Sequence, residues 1–172
     1  MKRIINKILS NFGFSINKLK NKKELSFDDI YKLKLNQSPI IFDIGANRGQ
    51  SIERFLKIFP NCTIHAFEPI KKEFLNLKEK FTTNKNIHIN NVALGDKIED
   101  KKLNVMARSE TSSFYDLNEN TEWLKIRSKQ YNTNTKDFKK SSEDVKVITL
   151  DHYCEDKRIQ FIDLIKIDVQ GY

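Results

Sequence analysis

A glycine turn sits between two apolar stretches: Ile40-Ile41-Phe42-Asp43-Ile44-Gly45-Ala46-Asn47-Arg48-Gly49, and then Ile64-His65-Ala66-Phe67-Glu68-Pro69. Glycines at 45 and 49 let the backbone turn sharply after a strand and let a ligand come close to main-chain N–H groups. Glu68 falls at the carboxyl end of the next strand, where a carboxylate accepts hydrogen bonds from both hydroxyls of a ribose. Together these residues describe a site for a nucleotide-type cofactor.

The glycine spacing departs from the dinucleotide pattern. Asn47 stands where G-x-G-x-x-G has its second glycine, which a pyrophosphate needs in order to approach the backbone. S-adenosylmethionine suits this turn better, because it brings an adenosine without a phosphate and a methionine end that needs polar groups. An NAD-binding Rossmann oxidoreductase is the alternative, since it uses the same unit with Glu68 on its ribose.

The elements that must position these residues follow from pattern. An apolar strand ending in Asp43, a helix from about Gln50 to Phe59 stopped near Pro60, and a strand from Thr63 to Phe67 make one β-α-β unit with a right-handed crossover. A helix with an apolar stripe runs from about Lys71 to Phe81, followed by a strand from Ile87 to Val92. Further strands are expected at Lys101 to Val105, with Ser112 to Leu117 as its partner, and at Val145 to Leu150. Residues 118–142 are polar and without periodicity, which reads as a mobile loop. Asp163 to Val169 reads as the fourth core strand, its Ile-x-Leu-Ile-x-Ile run being that of a strand covered on both faces.

Asn91-Val92-Ala93-Leu94-Gly95-Asp96, Glu110-Thr111-Ser112-Ser113-Phe114, Ile148-Thr149-Leu150-Asp151 and Ile162 to Gly171 follow the turn in that order. With D-x-G-x-N-x-G at 43–49, this set resembles the FkbM-type family of class I S-adenosylmethionine-dependent methyltransferases, from about Pro39 to Tyr172. The resemblance implies an α/β, Rossmann-like class I methyltransferase fold and O-methylation of a sugar or small-molecule hydroxyl, with a small-molecule or glycan acceptor. It implies Asp43, Gly45, Asn47 and Gly49 at the methionine end of S-adenosyl-L-methionine, Glu68 on the ribose, and Ala93 and Leu94 near the adenine. Gln170 stands where the family usually has Glu, a departure that bears on the acceptor side more than on the cofactor. Asp168, at the carboxyl end of the fourth core strand, is the candidate acid or base beside the reacting centre. Lys166 alternates along the same strand and is a second residue that can face the site.

Against the family's pattern the chain stops just after its fourth core strand. The expectation is a C-terminally truncated domain with parallel order 3-2-1-4, its last strand an exposed edge open to self-association or a partner subunit, and weak or no transfer activity by itself. A non-catalytic remnant acting as a binding module is the other alternative.

Composition bounds these readings. The length of 172 residues suits one domain. Lys+Arg at 31 against Asp+Glu at 23 gives a formal charge of +8, but the lysines are spread among many asparagines and isoleucines. This reads as solvated surface charge, and no aromatic residues interleave with the basic runs as nucleic-acid binding needs. Cys62 and Cys154 lack C-x-x-C spacing, so a reducing cytoplasm is the expected location. His65, His88 and His152 do not cluster, which favours packing over metal ligation. No apolar run reaches the roughly eighteen residues of a membrane span.

Residues 1–38 read as an N-terminal helical segment preceding the domain at 39–172. Ile4, Ile5, Ile8, Leu9 and Phe12 recur at helical spacing among Lys2, Arg3 and Lys7, making a basic amphipathic helix from Met1 to about Leu25. It reads first as a helix packed on the domain or a partner, and second as a peripheral membrane contact through residues 1–20. A short helix follows from Phe27 to Leu35, with Ser26 as N-cap and Asp28 and Asp29 in its first turn.

Overall fold

The computed structural model describes residues 25–116, 118, 121–135 and 137–169. Its elements are α1 (Phe27–Lys34), β1 (Ile40–Ile44), α2 (Gln50–Ile58), β2 (Thr63–Phe67), α3 (Lys71–Lys80), β3 (Ile87–Asn90), β4 (Ala93–Leu94), β5 (Glu99–Met106), a 3-10 turn (Ser109–Thr111), α4 (Glu122–Gln130), β6 (Lys139–Ile148), α5 (Leu150–Lys157) and β7 (Leu164–Ile167). The chain divides into two units, 1–34 and 35–172. Apart from Leu25, the amphipathic stretch expected at the start lies outside the described residues.

In the first unit, Ser26 and Asp29 cap α1 reciprocally. Ser26 Oγ accepts the Asp29 N–H at 3.2 Å and Asp29 Oδ2 accepts the Ser26 N–H at 3.0 Å. Each satisfies a donor that the first helical turn leaves free.

The second unit is built on four parallel strands in the order β3-β2-β1-β7. Side chains of β1 alternate between the two sheet faces. Phe42 and Ile44 pack with Phe67, Ile148 and Tyr153 of α5, while Ile41 and Asp43 point the other way and are fully buried. Ile52 and Phe55 bury the inner stripe of α2, and Leu77 that of α3. His65 serves packing: its Nδ1 is 2.9 Å from the Tyr153 hydroxyl and its ring stacks on His88 at 4.6 Å. Burial holds the His65 imidazole down to about 4, so it is neutral in the core.

A second, three-stranded sheet has the order β4-β6-β5, with β5 and β6 antiparallel. Its core of Leu103, Val145 and Val147 meets Ile70 and Ala93. Ala93 of β4 thereby packs in one cluster with Ile70, which opens α3 just after β2.

Several expectations need correction. The stretch 118–142, read as a mobile loop, carries α4 and the first residues of β6. Thr121 caps α4 by accepting the Leu124 N–H at 3.3 Å, and only Leu124 and Ser128 are buried along the helix. Two buried positions are too few for a periodic signal, so the helix is hidden in the sequence. The described part of the expected partner strand, 112–116, pairs with β5 through a single antiparallel Asn104–Ser113 bridge and not as a full strand, held besides by Ser112 Oγ accepting the Met106 N–H at 3.1 Å and Asn104 Nδ2 donating to the Tyr115 carbonyl at 3.0 Å. Of the extended segment expected at Val145 to Leu150, Val145 to Ile148 is the end of the longer β6, while Leu150 opens the unforeseen α5, capped by Thr149 Oγ1. On β7, Ile165 and Ile167 are 40% and 65% exposed among the described residues, so this strand is not covered on both faces. Its place at the sheet edge is as the strand order required.

Candidate active site

The sheet reverses direction of growth at β1, with β2 on one side and β7 on the other, and in open parallel sheets the crevice beyond such strand ends is where ligands bind. The turn after β1 is stitched to both neighbours. Gly45 and Ala46 donate their N–H groups to the Phe67 carbonyl at 3.0 and 3.1 Å, and Asp168 donates its N–H to the Ile44 carbonyl at 3.0 Å.

The two glycines serve different approaches. Gly45 has φ +77°, and a Cβ there would run into the Asp168 carbonyl. Gly49 has φ +81°, and a Cβ there would come within 2.8 Å of Leu77 and Phe81 in and after α3. Gly45→Ala is therefore expected to destabilise the domain by about 2 kcal/mol, from left-handed strain and displacement of the end of β7. Urea unfolding checks this, and an unchanged midpoint would contradict the close approach.

Glu68 follows β2 and is almost wholly buried. Its Oε2 accepts the Asn47 N–H at 2.8 Å and its Oε1 accepts the Ile70 N–H at 2.9 Å. Burial pushes the carboxyl up to about 7, despite those two N–H groups, with Glu73 and Asp43 adding to the rise. An ionised carboxylate offers about four acceptor positions, so this fork fixes the group and leaves others for a ligand.

Glu68, Gly45 and Asn47 line one wall of a pocket with about 690 Å³ of empty space, part of it open to solvent. Val92, Ala93 and Leu94 line an apolar part, and Asp168 lies on the lining beside Gly45. The serine-rich segment lines the remainder through Glu110, Ser112, Ser113 and Phe114. Leu103 and Ser109 are also on the wall, and the sequence did not single them out. Asn47 Nδ2 donates to Ser109 Oγ at 3.1 Å, joining the turn to the segment after β5. The only signal for Ser109 was its adjacency to Glu110.

Asp43 and Gly49 stand outside this lining. Asp43 is fully buried, with Lys166 Nζ 2.9 Å from its Oδ1, a charge contact without hydrogen-bond alignment. No hydrogen-bond donor meets Oδ2 among the described residues. Burial raises the Asp43 carboxyl and Lys166 opposes the rise without cancelling it. Lys166 Nζ also donates to the Gly45 carbonyl at 2.9 Å. Thus Lys166 faces the underside of the turn and not the pocket. Gln170 lies outside the described residues.

A parallel 3-2-1-4 sheet with a glycine turn and a strand-end acid over one crevice makes a Rossmann-like α/β fold, and the family match assigns it to the methyltransferase form of that fold. Residues 43–172 match the Methyltransferase FkbM domain, and the chain belongs to that family. It is similar to 2-O-methyltransferase NoeI of Sinorhizobium fredii (strain NBRC 101917 / NGR234), at 27% identity over 142 residues, which are 83% of this chain and 57% of that protein. The chain therefore spans little more than half of that relative. Among solved structures, Methyltransferase FkbM from Methylobacillus flagellatus KT aligns at 18% identity with a TM-score of 0.37, over 43% of this chain and 22% of that one. Coclaurine N-methyltransferase bound to N-methylheliamine and SAH aligns at 12% identity with a TM-score of 0.32, over 41% and 24%. No helix among the described residues is long and apolar enough to cross a membrane.

Proposed function

We propose that this chain is the cofactor-binding part of an S-adenosylmethionine-dependent O-methyltransferase acting on a sugar or small-molecule hydroxyl. Family membership and the likeness to a 2-O-methyltransferase support the reaction class. The observation that carries the cofactor assignment is Glu68: a buried carboxylate on the pocket wall, fixed by two backbone N–H groups and still able to accept hydrogen bonds.

The residues present fit such a cofactor. Glu68 takes the ribose hydroxyls, Val92, Ala93 and Leu94 provide the apolar surface for adenine, and Gly45 and Asn47 present polar groups to the methionine end. Asp43 and Gly49 support the turn from behind it. When bound, S-adenosylmethionine supplies a methyl group on a sulfonium, open to attack by an oxygen nucleophile. Asp168 is suited to accept the proton of the acceptor hydroxyl, because it borders the pocket at the end of β7. Catalysis by such a site rests on positioning the acceptor and excluding water.

Calorimetric titration of the purified chain with S-adenosylhomocysteine and, separately, NADH tests this reading. Saturable binding of the former with none of the latter is expected. Preference for NADH would transfer the assignment to an oxidoreductase, and binding of neither would leave a remnant without a cofactor.

A further inference from the structure

The segment between β5 and β6 carries side chains that cofactor binding does not use. Met106, Leu124 and Phe138 make a small core, with Tyr131 packed against it. Trp123 meets the Phe138 ring edge-on and Tyr131 stacks on it, each at 6.1 Å between centroids. This aromatic group holds two arginines. The Arg108 guanidinium lies over the Tyr131 ring at 5.1 Å. The Arg127 guanidinium lies 5.9 Å from the Trp123 ring, and its Nη1 is 3.5 Å from the Tyr131 hydroxyl. One tyrosine therefore has a cation over its face and a second at its oxygen.

Each guanidinium lies against an aromatic ring, and a guanidinium carries five N–H donors in a planar fork that suits two-point contact with a phosphate or carboxylate. Arg108 stands next to the pocket wall, and Tyr131 joins it to Arg127. Arg108 immediately precedes Ser109 and Glu110, both on the pocket wall, and its Nη1 is 3.9 Å from Glu110 Oε1. Ser109 is in turn tied to the cofactor turn through Asn47. Existing partners do not exhaust the cations. The Glu110 contact is long, with both side chains close to half exposed, and Arg127 Nη1 otherwise donates to Gln130 Oε1 at 3.2 Å.

We infer that Arg108 and Arg127 form an oxyanion subsite at the mouth of the pocket, so that the methyl acceptor is an anionic sugar derivative, bearing a phosphate or a carboxylate, and not a neutral one. This inference rests on the methyltransferase reading above. Among the described residues Glu110 is the carboxylate paired with Arg108, and it competes with the ligand for that cation.

The test titrates the full chain, with and without saturating S-adenosylhomocysteine, against glucose 1-phosphate, glucuronate and glucose, followed by calorimetry or NMR shifts. At least one of the two anions should bind about tenfold or more tightly than glucose, as charge-assisted hydrogen bonds imply, and which one does so distinguishes phosphate from carboxylate. The preference should shrink at high salt. The double variant Arg108→Gln with Arg127→Gln should lose it while still binding S-adenosylhomocysteine. Glu110→Gln should strengthen anion binding several-fold, an opposite sign that loss of folding cannot imitate. Equal binding of anions and glucose, or unchanged anion binding in the double arginine variant, would overturn the subsite. Failure of S-adenosylhomocysteine to bind strikes instead at the cofactor reading.

Discussion

Lys166→Met is expected to lower the unfolding free energy by about 3 kcal/mol, at the lower end of the range for stripping one partner from a buried ion pair. The lower end applies because Lys166 is 24% exposed, while Asp43 is fully buried and bears the main desolvation penalty. Adding Asp43→Asn should recover most of the loss, because the double variant no longer holds a buried charge without a counter-charge. It should remain about 1 kcal/mol short, the net worth of the hydrogen bond from Lys166 to the Gly45 carbonyl. The pH dependence has a definite sign. With Lys166 gone, the Asp43 carboxyl rises further above its ordinary 3.8, so the folded state takes up a proton more readily than the unfolded one. The deficit of the single variant should therefore be small near pH 4 and grow as pH rises through the folded-state value. Urea unfolding of the two single variants and the double variant gives the coupling energy directly. Additive losses would show that Asp43 and Lys166 do not act as a pair.

That ion pair shows where sequence reading stops. The motif at 43–49 and the alternation along 162–169 are both local patterns, and alternation alone lets Lys166 face the site. What joins it to Asp43 is the parallel register between β1 and β7, which sets Asp43 opposite Lys166 across 123 positions of chain. No local pattern encodes a register. By contrast, β2 was bounded correctly at Thr63–Phe67, and α2 and α3 to within one residue, because an apolar run, a glycine turn and Pro60 are short-range signals. Helix α4 left no such trace, since its buried face consists of one leucine and one serine. Helix α5 did leave one. Thr149 is an N-cap, and Leu150, Tyr153 and Cys154 recur at helical spacing, but the preceding apolar strand residues masked its start. Of the pocket, the residues on strand ends were legible, whereas the wall contributed by Leu103 and Ser109 depends on how the second sheet folds over the first.

Glu68 supplies the sharpest test of the cofactor site, because both its hydrogen bonding and its proton affinity can be read in one experiment. Glu68→Gln should weaken S-adenosylhomocysteine binding by about 1.5 to 3 kcal/mol, the range for hydrogen bonds to a charged group. Gln keeps the volume and one acceptor oxygen for the backbone, so the fold is better preserved than with Ala, which would strip the half-buried Asn47 N–H and the buried Ile70 N–H of their partner. In the unmodified chain the carboxyl titrates at about 7, and ligand hydroxyls favour its ionised form. Affinity should accordingly rise with pH through about 7, and Glu68→Gln should flatten that rise. Stability should move the opposite way in the absence of ligand. The folded-state value lies above the ordinary 4.5, so the contribution is complete below that pH and is lost as pH climbs through about 7, an effect on the order of 3 kcal/mol. Calorimetric titrations and urea curves across this range, for both proteins, give the two slopes. A ligand affinity that does not change with pH in the unmodified chain, or an equal slope in the Gln variant, would remove Glu68 from the ribose.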